Sequence, residues 1–190
     1  MITNEQASTR LIQFANEGRL ITGKFHGAGA DGREVACLLG SFDPSVEQAS
    51  DCNADLMPLW MAETTVVLFD KLPTDAITPI GLRYGGLVAR WHTVKPAQWD
   101  TILTKFLIRC VDDALEAARP VSEGKDYWPA VEAACKQTVA ALQSGEQKVL
   151  KAAAANAADA YDAAYAYANA LFTFLLDQIE AECVIAESAP

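Results

Sequence analysis

Gly27, Gly29 and Gly32 stand in the order G-x-G-x-x-G, the spacing with which a strand-to-helix turn lets backbone N–H groups close on a pyrophosphate. That chemistry needs a hydrophobic strand before the loop and a second strand beyond the helix that follows. Neither flank supplies one, so a surface loop is expected. His26, Cys37, Cys52 and His92 are of metal-ligating types. Zinc sites are read from ligands paired two to four residues apart, as in C-x-x-C, and no such pair occurs, so free thiols and two unrelated histidines are expected. Ser41, Ser45 and Ser50 follow His26 without a G-x-S-x-G elbow or an ordered triad. Asp112 and Asp113 could serve acid–base or metal chemistry, but adjacent helical residues point about 100° apart and do not converge. Arg109 with Asp113 makes an i,i+4 ion pair and Asp112 with Glu116 a repulsion, the pattern of a solvated face. One cluster joins aromatic and basic groups: Arg83, Arg90, Trp91 and His92, a candidate pocket for an anionic ligand.

The elements that would position these residues read as helices almost throughout. Thr3 and Gln6 fit a capping box, Ile12, Phe14 and Ala15 supply an apolar patch, and Gly18 stops the helix. The stretch 20–32, with Gly23, Gly27, Gly29 and Gly32, reads as a loop with room for a short hairpin around Asp31-Gly32. Residues 33–39 fit helix or strand, since periodicity does not separate the two over so short a run. Pro58 opens a helix to about Leu72, Thr78-Pro79 one to about His92, and Pro96 one to about Ala118 that Arg119-Pro120 ends. Pro129 opens another, ending near Gly145. The tryptophans Trp60, Trp91, Trp99 and Trp128 fall at or near helix ends, where core packing is their ordinary role.

From Glu146 to Cys183 there is neither Gly nor Pro in 38 residues. As one helix this stretch is roughly 57 Å long, against a diameter of about 40 Å for a compact chain of this size. Leu150, Tyr161, Tyr165, Phe172 and Ile179 share one arc, which Tyr167 and Phe174 widen to about 200°, twice the ordinary apolar stripe. Asp159, Asp162, Asn169, Asp177 and Glu180 take the opposite arc. A strip too long and too wide for one globule predicts a homodimer through residues 150–180. Tyr161, Tyr165, Tyr167, Phe172 and Phe174 are expected at or near its seam, with Asp159 and Asp162 as further protein-interaction residues. The expected fold is all-α: a bundle of six or seven helices with one long C-terminal helix, a Gly-rich loop near the N-terminus, and a single domain over 1–190 with a weak sub-boundary at 144–146.

Composition bounds the function. Hydrophobic residues make up 51% and charged residues 21% of the 190, which excludes a disordered chain; the 34 alanines favour helix. The net charge of −10 argues against direct binding to nucleic acid or to an anionic membrane. The charge is also uneven: residues 31–70 hold eight acids and one base, whereas 71–111 hold two acids and six bases. No run suits a signal peptide or a membrane span, so a cytoplasmic protein is expected. No catalytic, cofactor-binding or metal-binding residue is assigned.

Three strings, Arg33-Glu-Val-Ala-Cys-Leu-Leu-Gly, Met57-Pro-Leu-Trp-Met-Ala-Glu and Arg83-Tyr-Gly-Gly-Leu-Val-Ala-Arg-Trp-His, together with the closing Ala163-Ala-Tyr-Ala-Tyr-Ala, resemble Ala-rich phage and prophage accessory proteins. The resemblance implies a mobile-element protein acting in a bacterial cytoplasm. By analogy of class it implies one that binds and blocks a host defence protein, as anti-CRISPR proteins do. The expected function is therefore non-enzymatic inhibition of a host protein, its acidic residues standing in for phosphates in a basic groove. The alternative is a small-molecule or nucleotide sponge built on residues 83–95.

Overall fold

A computed structural model describes residues 2–144 and 168–188. Among them are six α-helices and one two-stranded sheet. They fall into two compact units, one of residues 2–99 with 168–188 and the other beginning at Asp100. None of the described helices is long and apolar enough to cross a membrane.

In the first unit, α1 (Asn4–Asn16) begins with the expected capping box: the Gln6 N–H donates to Thr3 Oγ1 at 3.2 Å and the Thr3 N–H to Gln6 Oε1 at 2.9 Å. Its apolar face buries Ala7, Leu11, Phe14 and Ala15. The glycine-bearing stretch folds back on itself. Strand β1 (His26–Ala28) pairs antiparallel with β2 (Glu34–Ala36), with His26 opposite Ala36 and Ala28 opposite Glu34. Gly32 takes a φ of 77° in the turn between them, the left-handed region that glycine enters without cost. So 34–36 is strand and not helix, because its N–H and C=O groups find β1.

Helix α2 (Leu59–Asp70) follows Pro58, whose φ of −67° and ψ of 150° set the entry. Helix α3 (Thr74–Val88) starts four residues before the expected Thr78-Pro79. Pro73, extended at φ −65° and ψ 149°, performs the opening role, and Pro79 lies inside. There it removes one ladder bond, and the buried face of Ile80, Tyr84, Leu87 and Val88 outweighs that loss. α3 ends at Val88, and Trp91–Thr93 forms a 3₁₀ turn instead of extending it to His92. Gly81 and Gly85, one turn apart, let α1 approach closely: a Cβ at Gly85 would lie 2.7 Å from Ile12 Cγ1.

Helix α4 (Pro96–Ser122) starts where Pro96 predicts but runs through Pro120. Near a C-terminus that proline removes a single bond, and the stop falls to Gly124 at φ 83°. In the second unit α5 (Trp128–Gln143) has Pro129 in its first turn, as expected. Arg119 of α4 donates to Glu132 of α5 at 3.2 Å and lies over the Trp128 ring at 5.8 Å. Helix α6 (Ala168–Ser188) covers the closing part of the stretch expected as one long helix. Residues 146–167 of that expectation lie outside the described residues.

α6 belongs to the first unit and completes its core. Leu171, Phe172, Leu175, Leu176, Ile179 and Cys183 recur at three- and four-residue steps and are all at most 3% exposed. At the centre stands Tyr84, with Trp91 at 5.0 Å and Phe172 at 5.8 Å, both edge-on. Its hydroxyl is bonded to Thr65 Oγ1 at 2.8 Å. Trp99 extends the cluster to Trp91 at 5.7 Å and Trp60 at 6.1 Å.

Candidate protein-binding site

The residues marked in the sequence as chemistry-bearing mostly prove to be structural. Gly27, Gly29 and Gly32 belong to the hairpin, and a strand, not a helix, follows Gly32. His26 is half-buried. Its Nε2–H donates to the Val46 carbonyl at 2.9 Å, the only direction a carbonyl permits, while Nδ1 lies 3.5 Å from Glu34. The ring thus ties the hairpin to the segment after residue 41. Cys37 is buried, with its thiol pKa raised by burial and its Sγ accepting the Gly40 N–H at 3.4 Å. Burial pushes the Cys52 and Cys110 thiols up to about 12. Among the described residues no group of three or more His, Cys, Asp or Glu is arranged to hold a metal ion.

Arg109 Nε meets Asp113 Oδ1 at 2.7 Å, the expected i,i+4 pair. Arg109, Asp112 and Glu116 are exposed as a solvated face requires, whereas Asp113 is only 8% exposed and its Oδ2 has no hydrogen-bond partner. Of the residues expected to form an anion pocket, Arg83, Arg90, Trp91 and His92, several are engaged within the chain. Arg83 Nη2 faces Asp177 at 2.6 Å and Glu180 at 2.8 Å, so two carboxylates of α6 already neutralise it. Trp91 is 2% exposed and locked among rings. The Arg90 carbonyl accepts the Thr93 hydroxyl at 2.8 Å, and exposed His92 donates Nδ1–H to the Ala89 carbonyl at 3.0 Å. Of the expected seam, Phe172 is 0% exposed within its own chain's core, so it offers nothing to a second copy, and Phe174 is half-buried. Asp159, Tyr161, Asp162, Tyr165 and Tyr167 lie outside the described residues.

A different surface stands out, in the irregular segment 41–57 between the hairpin and α2. Asp43, Glu47, Asp51 and Asp55 lie on it, and from Glu34 to Asp70 the chain holds no Lys, Arg or His. Buried Phe42, Val46, Leu56 and Met57 anchor it, each at most 4% exposed. Local hydrogen bonds fix its backbone. Asp43 Oδ1 accepts the Ser45 N–H at 2.9 Å and hydroxyl at 2.8 Å. Asp51 Oδ2 accepts the N–H groups of Glu47 and Gln48, both at 3.1 Å, and its Oδ1 takes the Gln48 amide at 3.0 Å. The Ser45 N–H holds Asp43, and the Gln48 amide Asp51, below the usual carboxylate range, so both remain charged at neutral pH. Glu47, Asp51 and Asp55 are exposed, and among the described residues none of the three pairs with a cation.

A cavity of about 160 Å³ opens among Ile2, Phe42, Asp43, Ser45, Val46, Asp51, Cys52, Asn53 and Leu56. A broader open depression of about 620 Å³, lined by Ile2, Glu5, Gln6, Thr9, Arg10 and Asp43, shares Ile2 and Asp43 with it. The sequence signal for this site is the acidic block of residues 31–70, which by itself fits internal charge pairing equally well. Part of it is so paired: Asp31 meets Arg33 at 2.6 Å, Glu34 meets Arg19 at 3.5 Å, and Asp70 takes the Gly23 N–H at 2.8 Å. The remainder faces outward. In comparisons with known proteins, no family model, no curated protein and no solved structure matches the chain.

Proposed function

We propose that this chain is a non-enzymatic accessory protein of the phage type that binds and inhibits a host protein inside a bacterial cell. The surface that makes the contact is the acidic segment 43–55. The observation that carries the reading is the display of Asp43 and Asp51, their carboxylates fixed by hydrogen bonds, beside exposed Glu47 and Asp55 on a segment with a buried apolar anchor. Carboxylates held in place before binding lose little conformational entropy on complex formation. Clustered negative charge both steers a basic partner in and rejects acidic ones. The partner class is therefore a protein with a basic groove of the kind that holds nucleic acid.

The test uses Glu47→Gln with Asp55→Asn, because these two side chains brace no loop backbone. Tagged wild-type protein incubated with bacterial lysate at moderate salt is expected to retain a stoichiometric partner that added heparin or DNA displaces. The double variant, folded by circular dichroism, is expected to retain far less of it. Absence of any stoichiometric partner, or equal retention by the variant, would overturn the proposal.

A further inference from the structure

The cavity within the acidic segment has two chemically distinct parts. Its buried lining is apolar, Phe42, Val46 and Leu56 each being at most 4% exposed, while Ser45 and Asn53 add polar groups. Its mouth carries the carboxylates of Asp43 and Asp51. At about 160 Å³ it is well short of the 300–1,000 Å³ of ordinary cofactor or metabolite pockets. An apolar void of about 150 Å³ holds one benzene-sized group, so the buried part accommodates a single aliphatic side chain. A cationic head against Phe42, Val46 and Leu56 would lose hydration without gaining a charged partner, whereas cations at the mouth meet ionised carboxylates. Arg10, which lines the adjoining depression beside Asp43, leaves Asp51 and the exposed Glu47 and Asp55 uncompensated.

Resting on the protein-binding reading above, we infer that the cavity is a socket for one bulky aliphatic side chain, leucine-sized, on a partner segment where Lys or Arg residues flank it. Charge complementarity draws the segment in, and the buried aliphatic group is the anchor. Protein interfaces concentrate their binding energy in this way: a few side chains filling desolvated pockets, ringed by polar contacts.

The probes are two synthetic seven-residue peptides, acetylated and amidated. One has a central leucine between two Lys-Arg-Lys triplets and the other a central alanine. Fluorescence anisotropy with the full chain is expected to show the leucine peptide binding at least about tenfold tighter, the scale set by burying the additional methylene groups. Cys52→Phe fills the cavity from a half-buried wall residue. It is expected to bring the two affinities together while leaving that of the alanine peptide unchanged. If this variant does not fold, the wild-type peptide pair decides alone. Equal binding of both peptides to the wild type would overturn the socket and leave the acidic-surface reading to its own capture experiment. Binding of neither would overturn the socket as well.

Discussion

Replacing Phe172 by alanine separates a core role from an interface role, and the structure fixes how large the effect must be. The ring is 0% exposed and stands edge-on to Tyr84 at 5.8 Å, in a core formed when α6 closes over α3. Removing a buried phenylalanine costs about 3–5 kcal/mol, of which about 0.5–1.5 kcal/mol is the aromatic pair. The expected loss is therefore about 4 kcal/mol. For a chain of this length that lowers the melting temperature by roughly 8–16 °C. Urea unfolding followed by tryptophan fluorescence suits the measurement, because Trp60, Trp91 and Trp99 all lie in the unit that α6 completes. Val184→Ala is the control: 53% exposed on the same helix, it should change stability by no more than about 0.5 kcal/mol. Both variants are to be measured at two protein concentrations a hundredfold apart. A loss under about 1.5 kcal/mol would refute the packing argument. A loss that appears only at the higher concentration would place Phe172 between copies of the chain, since an interface adds stability only where mass action populates the assembled form.

Two further outcomes follow from the charges and thiols. Cys52 and Cys110 ionise near 9.0 when unfolded and at about 12 when folded, because burial disfavours the thiolate. Over that interval the folded state holds the extra protons, so stability is full below about pH 9 and falls as pH rises toward 12. The urea midpoint should drop between pH 8 and pH 10.5, and drop less in Cys52→Ala with Cys110→Ala; parallel slopes would refute this. Arg83→Gln should cost no more than about 1 kcal/mol, because Asp177 and Glu180 are 54% and 50% exposed, and the difference should vanish in concentrated salt. A larger, salt-independent loss would mean that Arg83 holds α6 by packing.

The helices were legible wherever a local rule decided them. The Thr3–Gln6 box, Pro58, Pro96 and Pro129 each mark a start through backbone chemistry within one turn, and the structure places the starts there. The reading failed where a local rule competed with burial. Pro79 and Pro120 look like boundaries because each removes one N–H, yet α3 and α4 continue through them. Residues 34–36 were ambiguous for the same reason, since only the partner strand makes them a strand.

Charge balance and residue chemistry were likewise written in the chain. The excess of acids over bases, the absence of paired metal ligands and the acidic run after residue 31 require no coordinates. Which acids remain unpaired did. Asp31, Glu34 and Asp70 are engaged by Arg33, Arg19 and the Gly23 N–H at the surface, while Glu47, Asp51 and Asp55 meet no cation among the described residues and sit on a loop whose anchors are buried. Arg83 looked like a ligand cation because its partners, Asp177 and Glu180, lie more than ninety positions away. Phe172 looked like an interface residue because a helical wheel counts apolar arc but not the neighbours that cover it. Patterns of a few residues determine local backbone and charge; contacts between distant segments determine which side chains stay available to a partner.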